Sequence, residues 1–405
     1  MIIIEKIHKI IIGALVIRLI VLLIIFVITP KWSIGFYGNT IGQDDVRYEK
    51  GAVRFAEIAT SLFDYSAFAD AYSEYGDYVG FVDNVFSATP LWYWVVCLVY
   101  YFFNSIIVIR ILNVLLSIIA IALLYKLVKL LYGEDTAITA ARLMAYLPYT
   151  VVFSCFAYKD TLVMVLTIYL LYRIIDYRTN RKIGIRKIVK IIIDALLLML
   201  IRGGLSAILI VLCLIMLFFS GEKLDYKKVL TRVIFVILAS FIAGYIIYYS
   251  MDSINLKIQS YITERETTGL GGISLVTISS VKDLYKLPLT FLFAIVMPIG
   301  FNGSIISWFN IVALLNICMV PIAVGALIDV FIHKQKELII IGCLLIYYVI
   351  SIIASIGIFR HYYSLLFIPI ILFSHIKHWG KSMSKNIWYI GSVFYFVILI
   401  IYMIK

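Results

Sequence analysis

A chain of 405 residues that is 63% hydrophobic and only 14% charged, with a mean hydropathy of +1.04, has too few polar side chains to cover a folded surface in water. A soluble globule is excluded, and the expected fold class is an all-α polytopic membrane protein. The net charge of +12 sits in short basic interruptions between apolar runs. They leave no room for a separate soluble domain of ordinary size, so a single membrane domain over 1–405 is expected.

In chain order, Lys6 and Lys9 precede an apolar run of about 20 residues that carries Arg18 and lacks a small-x-small cleavage site. A retained transmembrane anchor is expected. The stretch 31–89 follows, with nine acidic residues against four basic ones in an otherwise basic protein. Within it Ala52, Phe55, Ala56, Ala59, Leu62 and Phe63 recur at helical spacing, while Arg47, Lys50, Arg54 and Glu57 take the other face. The pattern predicts an amphipathic helix from about Asp45 to Phe63 on the membrane surface, with Asp44 and Asp45 at its N-terminus. Pro90 to Phe103 is rich in Trp and Tyr and reaches only about 21 Å as a helix, so it reads as an in-plane helix on the outer surface. The first outer loop is then 31–105.

Spans are expected near 10–29, 106–131, 136–157, 161–177, 188–201, 205–219, 232–250, 306–331, 338–357, 362–376 and 386–404. Basic residues gather in cytoplasmic loops, which places the clusters Arg173 to Lys190, Lys223 to Arg232, Lys334/Lys336 and Lys377 to Lys385 inside. This gives eleven helices with the N-terminus cytoplasmic. Spans 188–201 and 205–219 are drawn as a hairpin meeting at Arg202-Gly203-Gly204, because one continuous helix would put 223–232 outside. Leu287 to Gly300, with Pro288 and Pro298, reads as a second in-plane or re-entrant piece. The cysteines Cys97, Cys155, Cys213, Cys318 and Cys343 all lie in apolar runs, without the spacing of a metal site or redox pair, and read as lipid-facing or core residues.

This topology brings four ionisable groups to the outer face: Asp44/Asp45, Lys159-Asp160, Arg202 and Arg360-His361. Charges at membrane boundaries are costly without partners, which favours a functional reading. Each also has a structural one. Asp44 and Asp45 suit helix caps, Lys159-Asp160 a solvated turn, Arg202 a pair with an acid, and Arg360 a snorkelling cation. The remaining seven acids of the loop read as solvated surface. A carboxylate base with several cations on one face suits a reaction in which a hydroxyl attacks and a phosphate leaves. No Walker loop, GxGxxG, HExxH or GxSxG supports nucleotide-driven transport, metalloprotease or serine hydrolase chemistry.

The segments Asp44-Asp45-Val46-Arg47-Tyr48 and Pro90-Leu91-Trp92-Tyr93-Trp94, then Arg110-Ile111-Leu112-Asn113, Leu131-Tyr132-Gly133, Leu147-Pro148, Lys159-Asp160 and Leu170-Leu171-Tyr172-Arg173, follow one another in a characteristic order. The order resembles the GT-C class of membrane glycosyltransferases, which includes protein O-mannosyltransferases and bacterial aminoarabinose transferases. Asp45 stands where that class commonly has Glu. The likeness is good over 1–180 and looser beyond, where Arg360 is followed by Pro369.

The resemblance implies a GT-C-like fold and an inverting transfer from a polyprenyl-phosphate sugar, on the outer face, in envelope glycan or polysaccharide assembly. It implies Asp44 as general base, Asp45 as its helper or a metal contact, and Asp160 as the acid that orients acceptor or metal; Arg202, Arg360 and Lys159, set on the outer face by the topology, would bind the lipid phosphate, and Tyr48 and His361 are further substrate-binding candidates. A divalent metal at Asp44/Asp45/Asp160 is left open, because members of the class differ in metal use. The expected partners are a lipid-linked sugar donor, membrane lipid and a glycan or lipid acceptor, not a nucleic acid. The alternatives are an oligosaccharide repeat-unit polymerase or ligase, and a non-catalytic lipid or glycan transporter in which Arg18 and Asp194 are the charges within spans.

Overall fold

A computed structural model of the chain describes residues 2–28, 43–75, 90–180 and 185–218, together with 340, 342–344, 346–348, 351, 363–375 and 393. Among these residues every regular element is helical. The chain divides into two compact units, Met1–Ser206 and Ala207–Lys405. The expected spans near 232–250, 306–331 and 386–404, most of that near 338–357, the piece 287–300, Cys318, and Arg360 with His361 lie outside the described residues.

The first unit is framed by α1 (Ile2–Ile28) and α5 (Ile106–Tyr132). Lys6–Val27 and Ile106–Tyr132 are each long and apolar enough to cross a membrane. Only 28% of the apolar window of α1 is buried within the protein. Ile12, Val16, Ile20, Leu23, Ile24 and Val27 face outward, an arrangement that suits lipid and not water. The buried face of α5 runs through Ile109, Arg110, Asn113, Val114, Ser117, Ile121, Leu124 and Val128, a three-and-four spacing that turns one stripe inward. Against it pack α4 (Pro90–Phe103), α6 (Glu134–Tyr146) and α8 (Asp160–Asn180).

The expected span 136–157 is not one straight helix. α6 stops at Tyr146, Leu147 is extended (φ −63°, ψ 122°), and Pro148 opens the short α7 (Pro148–Phe153). Proline forces its predecessor out of helical geometry and has no N–H to give the Met144 carbonyl. Arg18, wholly buried in α1, supplies the missing donors, with Nη1 bonding Ala145 O at 2.7 Å and Nη2 bonding Met144 O at 3.1 Å. Thr150 Oγ1 adds a 2.7 Å bond to Met144 O. The charge inside the first span therefore finishes the last turn of α6, where the helix dipole also favours a cation.

The outer-loop segment folds into two helices, not one. α2 (Gln43–Ile58) ends before the expected boundary, and α3 (Tyr65–Tyr75) follows a turn that leaves Phe63 exposed. The second helix starts where it does because Asp64 caps it: its carboxylate accepts from Ala67 N at 3.1 Å, from Ser66 Oγ at 2.7 Å, and from Thr60 N and Oγ1 at 3.0 and 2.8 Å. Asp64 was expected to be a solvated loop charge. The Thr60 N–H, then the Ser66 hydroxyl, the Ala67 N–H and the Thr60 hydroxyl hold its carboxyl well below the usual carboxylate range.

α2, α3 and α4 share an aromatic core of Tyr48, Phe55, Phe68, Tyr72, Trp92 and Tyr93. Phe68 stacks on Trp94 with ring centroids 3.9 Å apart, and Tyr93 Oη donates a 2.6 Å bond to Ala71 O. α4 has the expected bounds. It closes on Asn104, whose φ of 47° is tolerated by a short polar side chain, and α5 begins two residues on.

Finally, α9 (Ile185–Phe218) is one helix of 34 residues. The expected hairpin at 202–204 is not formed, and two of the eleven expected spans merge into one. At 1.5 Å per residue α9 is about 51 Å long, more than enough to cross a hydrocarbon core of about 30 Å. Gly203 and Gly204 each cost about 1 kcal/mol in a helix interior, too little to break so long an apolar segment. In the second unit, α10 (Phe367–His375) falls within the expected span 362–376.

Candidate active site

The candidate site lies at the N-terminal end of α5, where α2, α4 and the turn before α8 meet. Asp44 and Asp45 lie within the first turn of α2. The Asp44 side chain is outside the described residues. Asp45 is fully buried, on the inward stripe that continues through Tyr48, Glu49, Ala52 and Phe55. Tyr48 belongs to the aromatic core, with its ring 6.2 Å from that of Tyr93 in an edge-to-face contact.

Glu49 was expected among the solvated acids and is instead one of the most enclosed groups in the unit. Its carboxylate accepts from Arg110 Nε at 2.8 Å and from Arg110 Nη2 at 3.2 Å, and both side chains are 0% exposed. A forked guanidinium–carboxylate contact of this kind is among the stronger charge-assisted bonds. The sequence signal for it was position: Glu49 is four residues after Asp45 and falls on the same face as Tyr48 and Ala52.

The turn at 154–159 leads from α7 into α8. Neighbouring side chains take the carbonyls of Phe156, Ala157 and Tyr158 in it. Asn113 Nδ2 donates to Phe156 O and, at 2.9 Å, to Tyr158 O, while Trp92 Nε1 donates to Ala157 O at 2.9 Å. Lys159 is partly exposed, and its carbonyl accepts the first bond of α8 from Val163 N at 3.0 Å. Asp160, buried to 3% exposure, opens α8, where the helix dipole favours its negative charge.

Arg202 is 9% exposed, and it is a mid-helix residue of α9, not a hairpin tip. Its Nη1 lies 3.6 Å from Asp160 Oδ1, which brings together two residues that the sequence singles out separately. This distance is an ion pair but not a close hydrogen bond. Among the described residues no three His, Cys, Asp or Glu side chains cluster as metal ligands. Asp45 and Asp160 supply oxygens of the kind that hold a divalent metal. Among the described cysteines, Cys97, Cys155, Cys213 and Cys343 are buried and free of disulfides.

Residues 87–248, from the start of α4 to beyond α9, match the family described as Dolichyl-phosphate-mannose-protein mannosyltransferase. The matched region holds Trp92, Arg110, Asn113, Lys159, Asp160 and Arg202 and excludes α2 with Asp44, Asp45 and Glu49. It supports the resemblance to membrane-embedded GT-C glycosyltransferases. Among solved structures, the chain is similar to the oligosaccharyltransferase of Archaeoglobus fulgidus tethered with an acceptor peptide, at 13% identity and a TM-score of 0.43, over 95% of this chain and 53% of that one. The chain thus spans about half the length of that structure. No curated protein matches it.

Proposed function

We propose that this membrane protein is an inverting glycosyltransferase that moves a sugar from a polyprenyl-phosphate carrier to a hydroxyl acceptor on the outer face of the membrane, in envelope glycan assembly. The observation that carries the reading is the pair Asp160–Arg202, a carboxylate and a guanidinium held together inside the region that matches a lipid-phosphate-sugar-dependent transferase family. In the reaction, Asp44 takes the proton of the acceptor hydroxyl as its oxygen bonds to the anomeric carbon. The bond from that carbon to the phosphate oxygen breaks, and its electron pair leaves with the polyprenyl phosphate. Asp45, beside Asp44 in the same helical turn, supports the base.

Arg202, with Lys159, balances the charge that collects on the departing phosphate, while Asp160 orients Arg202 and the acceptor. Tyr48 shapes the wall of the site through its place in the aromatic core. Arg18 is absorbed by the carbonyls of α6, which removes one of the two in-span charges on which a transporter reading leans. The test is transfer of labelled sugar by membranes carrying Asp44→Asn. Activity lost at normal expression supports the base, and activity retained removes Asp44 from that role.

A further inference from the structure

Two residues of α5 reach the two halves of the proposed site. Arg110 and Asn113 are three residues apart, hence neighbours on one helix face, and both are fully buried. Arg110 grips Glu49, one helical turn beyond Asp45. Asn113 grips the carbonyls of Phe156 and Tyr158, in the turn that ends at Lys159-Asp160.

The Asn113 side chain is placed for its donors. Both of its partners are carbonyl oxygens, which fixes the amide orientation, and its own Oδ1 is buried without a hydrogen-bond partner among the described residues. A buried acceptor left unmet carries a desolvation cost that an apolar side chain filling the same space would not incur. What Asn113 adds over such a side chain is a fixed position for the turn before Asp160.

We propose that Arg110 and Asn113 are positioning residues: a single face of α5 that sets the Asp44/Asp45 turn of α2 and the Asp160 turn before α8 in register for transfer. The proposal rests on the glycosyl-transfer reading above. It divides the labour. The Arg110–Glu49 arm holds the base and governs the chemical step, and the Asn113 arm holds Asp160 with its partner Arg202 and governs donor binding.

The test compares Glu49→Gln and Asn113→Leu with the wild type, purified in micelles, by hydrogen exchange and by initial rates with labelled polyprenyl-phosphate sugar. Glu49→Gln is expected to speed exchange in α2 and to lower kcat about a hundredfold, the scale of a 1 Å misplacement, with the donor KM held within about threefold. Asn113→Leu is expected to speed exchange in the turn before α8 and to raise the donor KM about tenfold, with a smaller change in kcat. A purely structural role predicts the same kinetic pattern in both variants, with exchange rising throughout. That result, or unchanged exchange in either segment, overturns the proposal while leaving an active wild type as a transferase. A wild type that transfers nothing overturns the reading beneath it.

Discussion

Arg110 reaches Glu49 through two hydrogen bonds, 2.8 Å from Nε and 3.2 Å from Nη2, with neither side chain open to solvent. The pair ties α5 to α2 across a sequence separation of 61 residues. Removing one partner leaves the other charged and enclosed. Glu49→Ala or Arg110→Ala should therefore destabilise the protein by about 3–5 kcal/mol, whereas the double change Glu49→Leu/Arg110→Met should cost much less. Thermal unfolding of the three variants in micelles reads the difference; equal losses in single and double variants would contradict it.

Gly51 faces Tyr93 so closely that a Cβ built there overlaps the phenol hydroxyl. That hydroxyl is engaged with Ala71 O, so the ring cannot retreat without releasing α3. Gly51→Ala should lower stability by about 1–3 kcal/mol, as overpacking of a filled core does. Adding Tyr93→Phe, which removes the overlapping atom, should recover part of the loss. The readout is again the unfolding temperature, and a neutral Gly51→Ala would show that the α2–α4 contact is looser than described.

The lowered carboxyl of Asp64 makes a pH prediction. Its folded value lies below its unfolded one, so its contribution is full above the ordinary carboxylate range and is lost as pH falls through that range toward the folded value. The stability gap between wild type and Asp64→Ala should be constant from about pH 5 to 8 and should narrow below about pH 4. A gap that widens on acidification would contradict the cap.

Arg202 is predicted to act on the donor. Arg202→Gln should raise the donor KM about tenfold or more, and Arg202→Lys should restore only part of it, since an ammonium lacks the planar fork that fits a phosphate. Because Arg202→Gln leaves Asp160 without this partner, Asp160→Asn should recover some stability in the double variant. An unchanged donor KM in Arg202→Gln would take Arg202 out of the phosphate site.

Where helices are uniform, the sequence was readable. The bounds of α4 and α5 follow from Pro90, from the aromatic run and from the inward stripe of α5, all local features. The errors arose where a distant residue decides the local outcome. The hairpin at 202–204 follows in the sequence from placing the basic residues 223–232 inside, whereas α9 runs unbroken through Gly203-Gly204 with Arg202 beside Asp160. The break at Leu147–Pro148 is stable because Arg18, 126 residues from Met144, covers the freed carbonyls.

At the site, Asp45, Asp160 and Arg202 were picked out as charges in an apolar chain, and two of them meet. Glu49 is masked by the charges around it, Arg47 to Lys50, although it shares the inward face of Tyr48 and Ala52. Asp64 reads as a solvated charge in the sequence because the helix that it caps, α3, is not anticipated there.

The most direct measurement is the fate of the sugar–phosphate bond. Purified protein reconstituted in vesicles with a polyprenyl-phosphate sugar, labelled in both sugar and lipid, is predicted to separate the two labels, with the sugar recovered on an acceptor in inverted configuration and the separation abolished by Asp44→Asn. Lipid that crosses the bilayer with its sugar still attached would contradict the account.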